Sequence, residues 1–233
     1  MKVIFRCQPG WEPYLLRPAL SRQALPEWLK QMPAKAHNAL METDLRTAKQ
    51  CPPLIDAMST GFTVFLAADV HIKNGQFSWQ WDLPPARVGR PSRAPVSFHF
   101  PEQTLGTPFE SENMFIKFNN FWTIELEPGY SLFVLHPVNQ KDLPFQTLSG
   151  LVDADLFKYG LIHFPAVWKD PTFEGLLKRG TPIAQCLIIK RTPLDLKFGT
   201  LEGPAADKYR EVEDVLEQKP GGYRRHFRDA ERE

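Results

Sequence analysis

Two carboxylates, Asp153 and Asp155, are the strongest candidates for chemistry in this chain, and they stand two residues apart after Gly150. On an extended backbone, residues two apart point to the same face, so both side chains can share one site. Two like charges held close together raise one pKa towards neutrality, which suits a general base, and two carboxylates can also bind a hard divalent cation. The alternative is a turn in which the Asp side chains cap backbone N–H groups.

A second set of candidate ligands is spread over several predicted strands. Asp69 and His71 share one strand face, and His99, His136 and His163 lie on other predicted strands. Two histidines and one carboxylate bind iron in non-haem Fe(II) oxygenases, so this set predicts, as an alternative, a metal-dependent jelly-roll oxygenase. The usual H-x-H or H-x-D order is absent, however, and a lone strand histidine is more often solvated or hydrogen-bonded.

Polar residues beside large aromatic residues form a third candidate site. Lys117 and Asn119 lie on one strand face just before Trp122, and His136 and Asn139 lie in a later loop. Apolar walls with a few placed polar groups are typical of a pocket for a small ligand, here a flat anionic one. The alternative is an outward polar face of a strand whose phenylalanines belong to the core.

Composition limits the classes of partner. The 233 residues are 42% hydrophobic, with 17 Phe and 6 Trp, which is enough for a substantial core. The net charge of +1 gives no broad electrostatic argument for nucleic acid or an anionic membrane. The strongest candidates for a local basic patch are the loop with Arg87, Arg90 and Arg93 and the tail with Arg224, Arg225 and Arg228, and short runs of this kind are usually solvated. We expect no membrane partner and no nucleic acid.

Cysteine usage and the N-terminus predict a cytoplasmic location. The three cysteines, Cys7, Cys51 and Cys186, are odd in number and far apart, which fits neither a disulfide framework nor a CxxC zinc site. The N-terminal segment is interrupted by prolines and charges, unlike a signal peptide, and no run approaches the roughly 20 apolar residues that cross a bilayer.

The elements that must position these residues are predicted to be mainly strands. The 22 Pro and 14 Gly exclude long helices from most of the chain. Asn74-Gly75 predicts a hairpin that joins a strand at 61–72 to one at 77–81, and the proline-rich segment 83–95 predicts an exposed loop. Regularly spaced strands favour a sandwich, jelly roll or folded barrel, with short helices at 25–30 and 52–58.

The C-terminal part changes character. Residues 205–218 lack Gly and Pro and place Tyr209, Val212, Val215 and Leu216 at helical intervals, which predicts one helix. We therefore predict a β-rich domain over residues 1–200. Residues 201–233 are predicted to form a C-terminal helix and a basic tail, packed on that domain or on a partner.

Two segments in the second half resemble motifs of the trimeric deoxyuridine triphosphatase (dUTPase) and deoxycytidine triphosphate (dCTP) deaminase superfamily, which has the β-clip fold. GLVDAD at 150–155 is similar to that family's G-[VL]-I-D-x-D-Y segment, and GTPIAQCLI at 180–188 is similar to its G-x-x-I-A-Q-L strand. The resemblance implies a β-clip fold and a homotrimer with its pocket between subunits. It also implies that Asp153 is the water-activating carboxylate and that Gln185 lies on a strand that helps to close the site.

Other parts of that family's pattern are missing. Where the family has a P-R-S-G-L-A phosphate-binding segment, this chain has HPVNQ at 136–140, without Arg or Ser to hold a triphosphate. Leu156-Phe157 replaces the tyrosine that stacks on uracil. Most of the chain also resembles an uncharacterised bacterial and phage protein family, on segments such as LPEWL at 25–29 and KQCPPLID at 49–56, but that family offers no activity to transfer.

Together these patterns predict a mainly β, single-domain β-clip or jelly-roll-like sandwich or barrel, with short N-terminal helices and one C-terminal helix. The leading hypothesis is a small-molecule, nucleotide-like binding protein or hydrolase, with Asp153 as base and Asp155 as its partner or metal ligand. The cofactor is undetermined, with a divalent metal, Mg or Fe, as the candidate. The alternatives are the iron oxygenase, with Asp69, His71, His99 and His163 as ligands, and a non-catalytic phage-related accessory or interaction protein.

Overall fold

Short strands dominate the structure, as the sequence predicts. A computed structural model describes residues 1–110, 115–218 and 221–229 of the chain. The strands in the described residues are β1 (Ile4–Arg6), β2 (Ala19–Leu20), β3 (Lys35–Asn38), β4 (Thr43–Arg46), β5 (Phe62–Phe65), β6 (Val70–Lys73), β7 (Gln76–Ser78), β8 (Val96–His99), β9 (Phe115–Phe118), β10 (Thr123–Glu125), β11 (Tyr130–Leu135), β12 (Phe145–Thr147), β13 (Gly150–Val152), β14 (Phe164–Trp168), β15 (Gly175–Leu177) and β16 (Pro182–Lys190).

Helices are few and mostly short. They are α1 (Glu27–Gln31), α2 (Pro52–Ser59), α3 (Pro204–Gln218) and α4 (Gly222–His226), with 3₁₀ turns at Glu12–Tyr14, Ser21–Gln23, Ala48–Gln50 and Pro101–Thr104. Proline stands at the first position of α2, where its missing N–H would have no partner within the helix. The two predicted N-terminal helices and the predicted C-terminal helix are therefore confirmed, within a residue or two at their ends. Helix α4 lies in the segment predicted as a basic tail, so the prediction of a single C-terminal helix is wrong.

Antiparallel sheets build the β-rich part. The two larger sheets have the strand orders β13-β11-β16-β5-β2 and β12-β14-β9-β8, and a third has the order β15-β6-β7. The second half of β11 alternates as a half-buried strand does, with Leu132 and Val134 buried and Phe133 and Leu135 partly exposed, whereas Ser131 is buried as well. Its partner β16 is the longest strand and places Cys186 opposite Val134.

One hydrophobic core joins these sheets. Its fully buried aromatic residues include Phe118, Phe145 and Phe164, and the rings of Phe118 and Phe145 meet edge to face at 4.6 Å. Leu132 and Ile183 from the five-stranded sheet pack into the same cluster. Much of the apolar content in the sequence is therefore used for packing between sheets.

The predicted hairpin is confirmed, but the strand before it is divided. Strands β6 and β7 pair across Asn74-Gly75, and both turn residues have positive φ (50° and 70°), as a tight two-residue hairpin requires. The predicted strand at 61–72 is wrong as a single element, because β5 and β6 lie in different sheets and the chain turns between them. The proline-rich segment 83–95 contains no helix or strand, as predicted.

The chain divides into two compact units, Met1–Arg191 and Thr192–Glu233. The first contains all the strands described above and the second contains α3 and α4. The predicted boundary at residue 200 and the packing of the tail stay predictions, and residues 219, 220 and 230–233 of that tail lie outside the described residues. In the described part of the chain, no helix has the length and apolar character needed to span a membrane.

Candidate functional site

Asp155 is held by an ion pair with Arg191, which follows the end of β16. Both terminal nitrogens of Arg191 donate to the carboxylate, with Nη1–Oδ1 at 2.9 Å and Nη2–Oδ2 at 2.5 Å, and the Gly129 N–H donates to Oδ2 at 2.9 Å. Only 6% of the Asp155 side chain is exposed. The hydrogen bonds from Arg191 and Gly129 hold the pKa of the Asp155 carboxyl well below its ordinary value.

Asp153 belongs to the same cluster and is half exposed. Its Oδ1 accepts a hydrogen bond of 2.6 Å from the Ser131 hydroxyl and lies 3.1 Å from Nη1 of Arg191. Its backbone carbonyl accepts the N–H groups of Leu156 and Phe157, which closes a turn. The spacing correctly brings both carboxylates to one site, but that site is a clamp that ties the turn after β13 to β11 and β16.

The clamp does not provide the electrostatics of a paired general base. A like-charged neighbour would raise one carboxyl pKa, whereas the guanidinium of Arg191 attracts both carboxylates, offsets one of their two negative charges and lowers the pKa of Asp155. Neither carboxylate lines any of the three cavities described below. Catalysis by Asp153 and Asp155 therefore stays a prediction, and the structural observation is a three-residue ion-pair network.

Replacing Asp155 with Asn is expected to destabilise the fold at neutral pH and to flatten its acid dependence. Because the folded-state pKa of Asp155 is depressed, its stabilising contribution is complete above the ordinary carboxyl pKa of 3.8 and is lost as pH falls below that value. Urea unfolding at pH 7 and below pH 3.8 measures both effects. Asp153→Asn is the matched control and should lower the free energy of unfolding by less. Equal stability of Asp155→Asn and the wild type at pH 7 would contradict a stabilising ion pair between Asp155 and Arg191.

Among the three cavities described in this section, none is lined by more than one of the predicted ligand residues Lys117, Asn119 and Trp122. Asn119 is buried and bonded within the protein, since its amide donates to the Ala94 carbonyl and its Oδ1 accepts from the Ser97 hydroxyl. Trp122 is 8% exposed, donates from Nε1 to the Leu16 carbonyl, and lines a cavity that neither Lys117 nor Asn119 lines. Lys117 is half-buried.

Two more predicted ligand residues, His136 and Asn139, lie in the loop after β11. His136 accepts the Thr147 N–H at Nδ1 (3.2 Å), its Nε2 donates to the Gln140 carbonyl (2.9 Å), and burial lowers its pKa. Asn139 is exposed, with φ of 61°, a left-handed conformation that Asn tolerates in turns.

Gln185 is 3% exposed and uses both ends of its amide. Its Oε1 accepts the Val138 N–H at 3.2 Å, and its Nε2 donates to the carbonyls of Ala57 and Thr60 at 2.9 and 2.8 Å. Those carbonyls lie at the end of α2, where a helix leaves acceptors without intrahelical partners. Gln185 thus attaches α2 and the 136–140 loop to the central strand β16.

The predicted metal ligands are not brought together. Among the residues that the structure describes, no group of three or more His, Cys, Asp or Glu side chains can hold a metal ion. His99 bonds Gln103, and His163 accepts the Asn120 N–H at Nδ1. Burial, with a smaller contribution from the charge of Lys117, lowers the pKa of His163 to about 4. Only Asp69 and His71 lie together, in the cleft described next.

A cleft at the start of β6 combines an aromatic residue with a cation. Strand β6 is the middle strand of its sheet, and on one side the hairpin register places His71 opposite Ser78, so that Gln80 and Trp81 run past the start of β6. On the other side Leu177 pairs with Val70, so the chain after Leu177 also passes that point. The resulting cavity of about 330 Å³ is lined by Ala68, Asp69, His71, Gln80, Trp81 and Arg179. We call it the Arg179 cleft.

The guanidinium of Arg179 is fixed in place without a carboxylate partner. Its Nε donates to the Ala67 carbonyl (3.1 Å) and its Nη2 to the Tyr14 carbonyl (3.2 Å), while its backbone N–H donates to Asp69 Oδ1 (2.6 Å). Among the described residues, no carboxylate oxygen lies within 4.0 Å of a nitrogen atom of this guanidinium, so it forms no ion pair there. Trp81 is held by an edge-to-face contact with Phe121 at 5.3 Å.

Sequence reasoning missed the main residues of this cleft. The Asn74-Gly75 turn sets the hairpin register, so it could have placed Gln80 near Asp69. Nothing local predicts that Arg179, over 100 residues away, meets the same point.

Two other cavities have different linings. A cavity of about 390 Å³ is lined by Trp28 with Glu27, Asp142 and mainly apolar neighbours. A cavity of about 350 Å³ is lined by Trp122 and by two cations, Lys2 and Arg17, of which Arg17 is paired with Glu12 at 2.6 Å.

Comparisons with known proteins give only distant structural likenesses. No protein-family model and no curated protein matches the chain. A mutant dUTPase of Staphylococcus bacteriophage 80alpha, solved with dUpNHpp, is 11% identical, with 60% of this chain and 75% of that chain covered and a TM-score of 0.34. A mutant dUTPase from phage phi11 of S. aureus is 10% identical (60% and 82% covered, TM-score 0.33), and the EIAV dUTPase is 14% identical (37% and 70%, TM-score 0.28). Likenesses at this level carry no conclusion about the fold or activity of this chain.

Proposed function

We propose that this protein binds a small, planar, negatively charged ligand of the nucleotide type in the Arg179 cleft. The observation that carries the proposal is the fixed Arg179 guanidinium, which has no ion-pair partner in the described chain and shares a cavity with an indole. The proposal concerns binding and not hydrolysis, because Asp153 and Asp155 do not line this cleft.

The chemistry of the cleft fits the parts of a nucleotide. An arginine recognises phosphate through charge-assisted hydrogen bonds, and the Nη1 group of Arg179 makes none of the protein hydrogen bonds described above. A base stacks on an aromatic face with about 1–3 kcal/mol of stabilisation, which Trp81 can provide. Gln80 and His71 add hydrogen-bonding groups, and the Asp69 carboxylate can accept from a sugar hydroxyl. The volume of about 330 Å³ lies at the lower end of the usual range for ligand sites.

Titration with uridine 5′-monophosphate, uridine and inorganic phosphate tests this proposal. Stacking of about 1–3 kcal/mol and charged hydrogen bonds of about 1.5–3 kcal/mol predict a Kd of roughly 0.1–10 mM for the monophosphate. Uridine, which lacks the charged hydrogen bonds, should bind at least about tenfold more weakly. Phosphate, which lacks the stacked base, should bind roughly 5–150-fold more weakly. Calorimetry and thermal shift measure the affinity of the protein for each of the three ligands.

Two variants separate binding from folding. Arg179→Gln removes the cation, but it also removes the hydrogen bonds from Arg179 to two backbone carbonyls. The second variant is therefore Gln80→Glu, which places a negative charge at an exposed position in the cleft. Gln80→Glu should weaken the monophosphate about tenfold with unchanged stability. Arg87→Gln, an exposed arginine outside the cleft, is the control. Absence of binding to the wild type, or binding indifferent to Gln80→Glu, would refute the proposal.

A further inference from the structure

We propose that helix α3 pairs in parallel with α3 of a second copy of this chain. The helix has an apolar stripe of Tyr209, Val212 and Leu216, extended towards its start by Ala205. The spacings of four, three and four residues are those of the a and d positions of a heptad repeat, the pattern by which two helices pack along one seam. The rest of the second unit leaves the stripe exposed, with exposures of 48%, 38% and 49% for its three large side chains.

The second unit does not cover this stripe by itself. Its short helix α4 packs beside the stripe, against Val215. A Cβ atom at position 222 would lie 2.5 Å from the carbonyl oxygen of Val215, so glycine allows this close packing. Among the described residues of this unit, Gly222 is buried and no large apolar side chain is, so the described part of the unit contains no core of large side chains. A helix of 15 residues is marginal in water unless an apolar face is packed. The stripe therefore needs a partner surface.

The charges beside the stripe favour a second copy as that partner. With Tyr209 and Leu216 at a positions, Lys208 occupies the g position and Glu213 the following e position. In a parallel pair, g of one helix faces e of the other, so Lys208 of each copy meets Glu213 of the second copy, twice by symmetry. An antiparallel pair matches e with e and g with g, which leaves both charges without an opposite neighbour there.

Other charges on α3 agree with this seam. Arg210 and Asp207 pair with each other at 2.7 Å at positions b and f, on the side away from the stripe. The hydroxyl of Tyr209 and the carboxylate of Glu213 are hydrogen-bonded within the helix, which holds Glu213 at the edge of the stripe and raises the pKa of Tyr209. This inference is independent of ligand binding in the Arg179 cleft.

Charge reversal in the full-length chain tests the proposal. Sedimentation equilibrium across a wide range of concentrations should show a dimer that dissociates on dilution. Lys208→Glu alone and Glu213→Lys alone should each weaken it by roughly tenfold, because two attractive pairs become two repulsive ones. The double variant Lys208→Glu/Glu213→Lys should restore the wild-type dissociation constant, since it reverses the direction of each pair without changing its sign.

Two further variants complete the test. Val212→Glu should abolish dimerisation, whereas Glu211→Lys, at the outward c position, should leave it unchanged. Circular dichroism of each variant shows whether α3 remains helical. A monomer at every concentration, a mass of three chains, or a double variant that remains as weak as the single ones would overturn the proposal.

Discussion

Replacing Gln185 with alanine is expected to lower the free energy of unfolding by about 2–4 kcal/mol, because one N–H and two carbonyls lose their partner. Those groups belong to Val138, Ala57 and Thr60, which Gln185 joins from its buried position on β16. A buried polar group without a partner costs far more than a hydrogen bond exchanged with water. Urea denaturation gives the change as a shift of the midpoint at constant slope.

Gln146→Ala is the matched control for this change. Gln146 lies on a strand as Gln185 does, but its side chain is exposed, so its truncation should change the free energy of unfolding by less than about 0.5 kcal/mol. If Gln185 contacted a ligand instead, its truncation would weaken ligand binding and leave the free protein stable. That outcome would reverse the structural role given to Gln185.

Replacing Trp81 with leucine is expected to weaken uridine monophosphate binding by roughly 5–150-fold, the equivalent of one stacked base. Inorganic phosphate, which needs only the guanidinium of Arg179, should bind the variant as it binds the wild type. The comparison of the two ligands separates a loss of stacking from a general disturbance of the cleft. Calorimetric titration of both ligands provides the measurement.

Trp28→Leu is the matched control for Trp81→Leu. Both tryptophans are half-buried and each lines a cavity, but only Trp81 lies beside the unpaired cation. Trp28→Leu should therefore leave the affinity for uridine monophosphate unchanged. Equal losses in the two variants would show that the base does not stack in the Arg179 cleft.

The sequence predicted those elements whose conformation is set by residues adjacent to one another in the chain. The Asn74-Gly75 turn has positive φ at both residues, which few other residue pairs allow, so the hairpin of β6 and β7 follows from two residues. The short helix α2 follows similarly from Pro52. The break between β5 and β6 was not predictable, because the apolar run continues from one strand into the other. The two strands are separate elements only because β5 joins the five-stranded sheet and β6 joins the three-stranded sheet.

The candidate site shows the same limit. The spacing of Asp153 and Asp155 predicted that both carboxylates share a site, and they do, but on a turn after β13 and not on the extended backbone from which this was inferred. Their role depends on Arg191, which is 36 residues from Asp155 and reaches it only because β16 pairs with β11. Gln185 likewise bonds groups far away in sequence, Val138 after β11 and Ala57 and Thr60 before β5, and its role as a ligand residue stays a prediction. Long-range partners, which sequence spacing does not encode, decided what each polar residue does.

The most direct test of nucleotide binding in the Arg179 cleft is a chemical-shift titration of the isotopically labelled, full-length chain with uridine monophosphate. The account predicts saturable shifts of the amides at 68–71, 80–81 and 179, together with the indole N–H of Trp81. Shifts concentrated at 129–131 and 153–157, around Asp153 and Asp155, or no saturable shift at any residue, would contradict it.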